Sequence, residues 1–319
     1  ESLSQIGLYN GITGTGNVSS STGAFEQLAY FALRSNPLYE MIADVRSTAQ
    51  THNGASVQFD LYDNMAAATG AIAQAVDIAA VALTDSTVTV TLVEYGNAVT
   101  TTAKLRGTSF LNVDADAANI IGYNMVDSID QIVAAVASGG TNEILPAGRA
   151  GTVNIIATDI ITPNQTRTAA AKLRTASAPG FENGNYVGMI HPDVAFDLRS
   201  AAAVTDVIAY QIRQDGAAVR NGSIGTWGGV EFIENPRANI QAGAGAAGIN
   251  VYDTVIAGRQ ALAKAFSRAP GFGEMPSIVY GPVTDNLRRF MTVGWYQLVG
   301  YGRFREACLQ RVESASSLA

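Results

Sequence analysis

Two stretches near the start of the chain alternate between apolar and polar residues. In 55–61 (ASVQFDL), Val57, Phe59 and Leu61 share one face, and Ser56, Gln58 and Asp60 share the other. In 87–93 (TVTVTLV), Val88, Val90 and Leu92 stand against Thr87, Thr89 and Thr91. A period of two marks a half-buried strand. A third strand candidate, NAVTTTAKL, follows Tyr95-Gly96. Between the first two lies a long Ala-rich stretch, too weakly patterned for a core helix. Together 55–105 reads as a long excursion from the body of the protein. Strands projecting without a local core are marginal alone. They become stable when a neighbouring subunit covers their apolar face.

A helical period appears elsewhere. Over 112–138, Ile121, Met125, Ile129, Ile132, Val133 and Val136 trace one stripe. Asp114 and Asp116 stand at its start, where the helix dipole favours negative charge, and Ser138-Gly139-Gly140 ends it. At roughly 25 residues this helix runs near 40 Å. Shorter helices are expected over 24–34 and, after the break at Asn36-Pro37, from Pro37 through PLYEMIADVR. Thr162, Pro163 and Gln165 form a capping box for a helix over 163–176. A strand over 185–191 precedes a helix opened by Pro192, and Thr205 starts another. GTWGGVEFIENPRA reads as a turn into a strand closed at Pro236. The strand INVYDTVIAG leads into RQALAKAF. Between Phe290 and Val299 apolar residues occupy both faces, so that strand belongs to the main body. Residues 1–23 are rich in Gly, Ser, Thr and Asn and read as an extended arm without its own core.

Composition narrows the function. The chain has 319 residues, 47% of them hydrophobic, enough for about two domains. Only 15% are charged, and the basic residues are three lysines against seventeen arginines. Arg is favoured at interfaces, where its planar fork pairs bidentately, and Lys is depleted there. A high-GC genome would produce the same bias without functional meaning. The net charge is −7 and no Lys/Arg cluster exists, which argues against tight nucleic-acid binding. A wall facing packed DNA without gripping it stays compatible. A single cysteine, Cys308, allows no intrachain disulfide and fits assembly in a reducing cytoplasm. No 18-residue apolar run is present.

Candidate chemistry is sparse. His52 sits in a polar turn, and His191 precedes Pro192 at a helix start, where it orders the turn. One cysteine and two distant histidines make no metal site, and no carboxylate spacing singles out an acid/base pair. Gly243–Gly248 (GAGAAG) fits GxGxxG, but it follows a polar loop and precedes a strand, the reverse of a dinucleotide fingerprint. No catalytic, cofactor-binding or metal-ligating residue is therefore assigned. Trp295 reads as core. Trp227, in a Gly-rich turn, is an interface anchor or a locally packed ring. Arg288-Arg289 is an interface or nucleic-acid contact, or a solvated strand end. The candidate inter-subunit contacts are Val57, Phe59, Leu61, Val88, Val90, Leu92, Trp227, Arg288 and Arg289.

MIHPDVAFDLRS, then GSIGTWGGVEFIENPRA, then MTVGWYQLVGYGRF, in that order and spacing, resemble the major capsid proteins of tailed bacteriophages. The resemblance spans roughly residues 25–315. It implies an α+β fold with an N-arm, an extended β E-loop, a peripheral domain with a long spine helix, and an axial domain. On that pattern the N-terminal arm and short helices occupy 1–50 and the E-loop 51–110. The peripheral domain is 111–150 with 272–319, and the axial domain is 151–271. The resemblance further implies pentamers and hexamers of this chain closing an icosahedral shell around double-stranded DNA. Portal, scaffolding and decoration proteins are the implied partners, without a membrane, in a virion assembled in the bacterial cytoplasm. An encapsulin cage of the same fold is the alternative. Lys104 ends the excursion, but no partner matches the cross-linking pattern of some members, so cross-linking is not carried over.

Overall fold

The computed structural model describes residues 39–45, 54–62, 65–109 without 73, 75, 76 and 79, 113–181, 184–201, 225–268, 273–281, and 285–318 without 288. The helices expected at 24–34 and from Thr205, and the arm at 1–23, lie outside the described residues, as do His52 and Arg288.

A 3-10 turn, Tyr39–Ile42, precedes β1 (Ala43–Val45). β2 (Ser56–Tyr62) and β3 (Asp85–Thr91) are the two alternating segments. β4 (Val93–Thr102) leads into α1 (Ala103–Thr108), and α2 (Val113–Ser138) is the long helix. β5 (Glu143–Ile144), α3 (Pro163–Thr175), β6 (Tyr186–Ile190) and α4 (Pro192–Ser200) follow. Then come β7 (Thr226–Trp227), β8 (Val230–Glu234), β9 (Ile240–Gln241), β10 (Val251–Ala257), β11 (Leu262–Phe266), β12 (Ser277–Tyr280), β13 (Phe290–Arg303) and β14 (Leu309–Ser314).

Local chemistry explains several of these boundaries. Gln165 N donates to Thr162 Oγ1 at 3.4 Å and Thr162 N donates to Gln165 Oε1 at 2.8 Å, so α3 carries its capping box. Gly228 and Gly229, with φ of 63° and 87°, join β7 to β8. A two-residue hairpin turn with positive φ at both positions needs glycine there. Two expectations are corrected. PLYEMIADVR does not continue as a helix, because the Tyr39 amide is taken by the buried Asp130 carboxylate at 2.8 Å and β1 pairs in parallel with β11. Lys104 and Leu105, expected in a strand, are helical: the Thr102 hydroxyl accepts from Leu105 N at 3.2 Å and starts α1.

The strands form two large sheets and one hairpin. The five-stranded sheet runs β1-β11-β13-β12, with β4 on the other edge of β13. The seven-stranded sheet runs β5-β14-β10-β6-β8-β7, with β9 also on β10. β2 and β3 pair alone, antiparallel. α2 packs against β13 and β4. The main core lies where α2, α3 and α4 meet the seven-stranded sheet, around Val133, Leu173, Leu198, Ile256 and Val312. β10 and β11 are buried along their whole length, and β13 is buried through Val293, Gly294 and Trp295.

Both large sheets draw strands from either side of the expected boundary at residues 271 and 272. β11 lies beside β13, and β14 lies beside β10. Alternation within a strand reports its burial, not its partner, so neither crossing shows in the pattern.

Candidate inter-subunit surfaces

The β2–β3 hairpin is firmly rooted in its own subunit. Its register sets Val57 opposite Val90 and Phe59 opposite Val88. Val57 and Val90 are 2% exposed and Leu92 9%, packed with Ala265 and flanked by Leu298. The root rests on Gly300 and Gly302 of β13, where a Cβ would stand 2.8 Å from the Val90 methyl groups. Phe59 is half-buried and meets Phe304 edge-on, ring centres 6.2 Å apart. Leu61 and Val88 are half-buried further out.

The expectation for the apolar face is therefore corrected at three positions. Val57, Val90 and Leu92 are covered by the chain itself and present no free surface. The third expected strand of the excursion is also part of the body. β4 pairs with β13 over ten positions, from Val93 opposite Val299 to Thr102 opposite Phe290.

What projects is the segment beyond the hairpin. Among the described residues of 65–84 there is no helix or strand. Met65, Ile72, Ile78, Val81 and Leu83 are 56 to 72% exposed, and Tyr62 stands exposed at the end of β2. So many large apolar side chains left exposed in one segment are a feature of interaction surfaces. A second apolar surface lies at the outer edge of the five-stranded sheet. There Ile278, Val279 and Tyr280 of β12 are exposed, with Met275 and Leu287 nearby in sequence. Sequence reasoning missed both rows, because neither alternates with a regular period.

The other candidates are engaged locally. Trp227 is half-buried against the main core, and its indole N–H finds no partner among the described residues. Arg289 pairs with Asp285 at 3.1 Å, and its guanidinium lies 5.4 Å from the centre of the Phe290 ring.

Buried polar groups tie distant segments together. Asp130 of α2 accepts from Tyr39 N and from Asn235 Nδ2, each at 2.8 Å, and pairs with Arg237 at 3.5 Å. Arg237 also pairs with Asp127, and Arg237 N donates to Asn235 Oδ1 at 2.9 Å. The ENPRA stretch is thus the fastening of β8 to the long helix. Lys264 of β11, buried, pairs with Glu40, which also accepts from the Tyr301 hydroxyl at 3.0 Å. Burial, then the Glu40 charge, drives the Tyr301 phenol well above its ordinary range.

None of this forms a reactive constellation. His191 Nδ1 accepts from Asp193 N at 3.2 Å and caps α4, its ring 5.0 Å from that of Tyr252. Burial lowers its pKa, against the Asp193 charge, which raises it. Cys308 is buried, which raises its thiol pKa. Gly243–Gly248 lies between β9 and β10, with a 3-10 turn at Ala246–Gly248 and no following α-helix. A cleft of about 750 Å³ beside β1 is lined by Met41, Asp44, Phe181, Val187, Glu231 and Arg259 among others, with no histidine, cysteine or hydroxyl nucleophile among the described residues. Among the described residues no three metal-ligating side chains converge.

The comparison with known proteins joins these features. The model of a phage capsid protein family matches residues 22–318. The chain belongs to that family. Its fold is that of the tailed-phage capsids. The capsid of Ralstonia phage GP4 superposes with a TM-score of 0.74 at 14% identity, covering 95% of this chain and 97% of that one. The cyanophage Pam1 capsid gives 0.72 at 15%, covering 95% and 99%. The head of Helicobacter pylori bacteriophage KHP40 gives 0.70 at 9%, covering 95% and 98%. No curated protein sequence matches this phage capsid protein significantly.

Proposed function

We propose that this chain is the major capsid protein of a tailed phage, with a structural and non-enzymatic role. It self-assembles as pentamers and hexamers into an icosahedral shell that encloses double-stranded DNA. The observation that carries the assembly reading is the exposed aliphatic row at 65–84, held out on a hairpin whose root is fixed to β13. A neighbouring subunit covers that row, and Phe59, Leu61 and Val88 lie at its margin. Family membership and the fold support the shell; the family match to phage capsids leaves the encapsulin alternative with no observation in its favour.

In domain terms, 51–110 acts as the E-loop, although β4 is part of the body. α2 with the β4–β13 sheet makes the peripheral unit, with β11 joining it. The seven-stranded sheet makes the axial unit, with β14 joining it. The net charge of −7 suits a wall that faces DNA without gripping it. Portal, scaffolding and decoration proteins are the partners this reading supplies, in a virion assembled in the host cytoplasm.

Electron microscopy of the purified chain, expressed alone and with its neighbouring genes, tests the reading. Closed shells or rings of five or six subunits are expected. Replacing Ile78, Val81 and Leu83 by Ser should leave a folded subunit with unchanged circular dichroism and abolish closed shells. A monodisperse monomer under every condition, or normal shells from the triple variant, would overturn the assignment of the row.

A further inference from the structure

The middle of the seven-stranded sheet holds two acidic residues in an unfavourable position. Asp253 of β10 and Glu313 of β14 are direct partners across the antiparallel ladder, and both are buried. Directly opposed side chains lie about 5 Å apart at Cβ, and like charges there repel. The nearby cation is Arg311, two residues before Glu313 on the same face of β14. It lies 2.8 Å from Glu313 Oε1 and 2.9 Å from Glu143 Oε2. One guanidinium therefore serves two carboxylates directly and Asp253 only at a distance.

Further hydrogen bonds to this pair come from β9 with the residue before it and from the 151–155 turn. Asn239 Nδ2 donates to Asp253 Oδ2 at 2.6 Å, and Gln241 Nε2 donates to Asp253 Oδ1 at 2.8 Å. The same Gln241 amide reaches Glu313 Oε1 at 3.3 Å, while Thr152 Oγ1 donates to Glu313 Oε2 at 2.7 Å. The two segments also meet each other. Ala246 N donates to Ile155 O at 2.8 Å, and Ile155 packs with Val251 and Ala315 beside Ala244 and Ile249. Tyr39 faces the same site: its buried hydroxyl has no partner among the described residues, and burial, then the charges of Asp130 and Asp253, hold it protonated.

We propose that Asp253 and Glu313 form a proton-sensitive latch that fastens the 151–155 turn and the 239–250 segment, edge strand β9 and the loop after it, to β10 and β14. Burial raises the pKa of the Asp253 carboxyl. The Asn239 and Gln241 amides and the Arg311 charge work against this, and the Glu313 charge works with it. A raised pKa means that the folded state holds the proton more tightly than the unfolded chain. The stabilisation is fully present below the ordinary carboxylate pKa and is lost as pH rises through the folded value. A proton on Asp253 removes one of the two opposed buried negative charges. Loss of that proton sets two buried negative charges against each other, and the loops slacken. The latch holds in acid and loosens towards alkaline pH. On the capsid reading both loops belong to the axial unit; the latch does not depend on that reading.

Hydrogen exchange of the full chain, followed by mass spectrometry from about pH 4 to about pH 9, where buried carboxylates titrate, tests it. After correction for intrinsic exchange, protection of 151–155 and 239–250 should fall roughly tenfold relative to the β10–β14 ladder as pH rises, one pKa unit of differential interaction. Asp253→Asn should hold the loops at their acid level across the range. Glu313→Gln should move the midpoint to lower pH by removing the like charge. Loop protection that stays flat in the wild type, or a pH profile unchanged in Asp253→Asn, would overturn the proposal. If Asp253→Asn fails to fold, the wild-type profile and the Glu313→Gln shift decide alone.

Discussion

Gly300 and Gly302 lie two residues apart on one face of β13, beneath the root of the β2–β3 hairpin, and they differ in what an added methyl would strike. At Gly302 a Cβ would stand 2.8 Å from Val90 Cγ2, with its next contacts at 3.8 Å, also on Val90. At Gly300 it would stand 2.8 Å from Val90 Cγ1 but 2.4 Å from the Thr91 carbonyl oxygen. One obstacle is a side chain that can be shortened; the other is backbone. Neither glycine has a left-handed φ, so alanine adopts both conformations without strain. Gly302→Ala alone should overpack the root at a cost of about 1–3 kcal/mol. Val90→Ala alone removes two methyl groups, about 0.8 kcal/mol each, and leaves a small cavity, about 2 kcal/mol together.

Combined, the methyl added at position 302 enters the space that Val90→Ala vacates. The double variant should fall short of the summed costs by about 1 kcal/mol or more. Gly300→Ala should not be rescued in the same way, because the Thr91 oxygen remains. Hydrogen exchange at the β2 and β3 amides reads this local opening without requiring the whole chain to unfold in one step. At about 1.4 kcal/mol per tenfold, Val90→Ala alone should lower protection roughly 30-fold. Equal coupling of both glycines to Val90→Ala, or none at Gly302, would refute the reasoning that the two glycines form the seat.

Three further outcomes follow from the burial and the ties. Val90→Asp should unfold the hairpin root inside a single subunit by burying an unpaired charge; near-native exchange in 54–62 and 85–92 would contradict the placement of Val90 under its own chain. Asp130→Ala should cost about 2–4 kcal/mol, since it takes the acceptor from the Tyr39 amide and the Asn235 side-chain amide and leaves Arg237 with Asp127, and should appear as a lower unfolding temperature with exposure of 39–45 to protease. His191 has a pKa lowered by burial, so it contributes stability above the ordinary imidazole range that is lost as pH falls through its folded value. His191→Asn should keep a side-chain cap on α4 and flatten the acid limb of a plot of unfolding temperature against pH.

Elements whose signal lies within a few residues were legible in the sequence. The alternation at Val57, Phe59 and Leu61 gave β2, the stripe from Ile121 to Val136 gave α2, and Thr162 with Gln165 gave the start of α3. What the sequence withheld was which segments meet. Val90 looked like an uncovered face because Gly300 and Gly302, some two hundred residues away, carry no side chains to announce a seat. The exposed residues at 65–84 follow neither a helical nor a strand period, so the pattern excludes a core helix there without marking an exposed surface. The crossing of β11 and β14 between sheets was invisible because a strand buried at every position, such as Leu262–Phe266, has no exposed face to mark which sheet it joins.

The same distinction explains where this low-charge chain places its buried charges. Tyr39 and Asp130 are 91 residues apart, Asp130 and Asn235 are 105 apart, and Glu40 and Lys264 are 224 apart. Desolvation offsets most of the attraction in a buried pair, so such pairs add little net stability over apolar packing of equal volume. Their effect lies in what they forbid. Any arrangement that separates Asp130 from Arg237, or Lys264 from Glu40, leaves a buried charge unpaired at several kcal/mol. Hydrophobic faces along 39–45, α2, β8 and β11 would tolerate small slips against one another; these ties do not. The body is thereby held to one arrangement, while the aliphatic row at 65–84, which no such tie restrains among the described residues, is left to meet its surroundings outside the subunit.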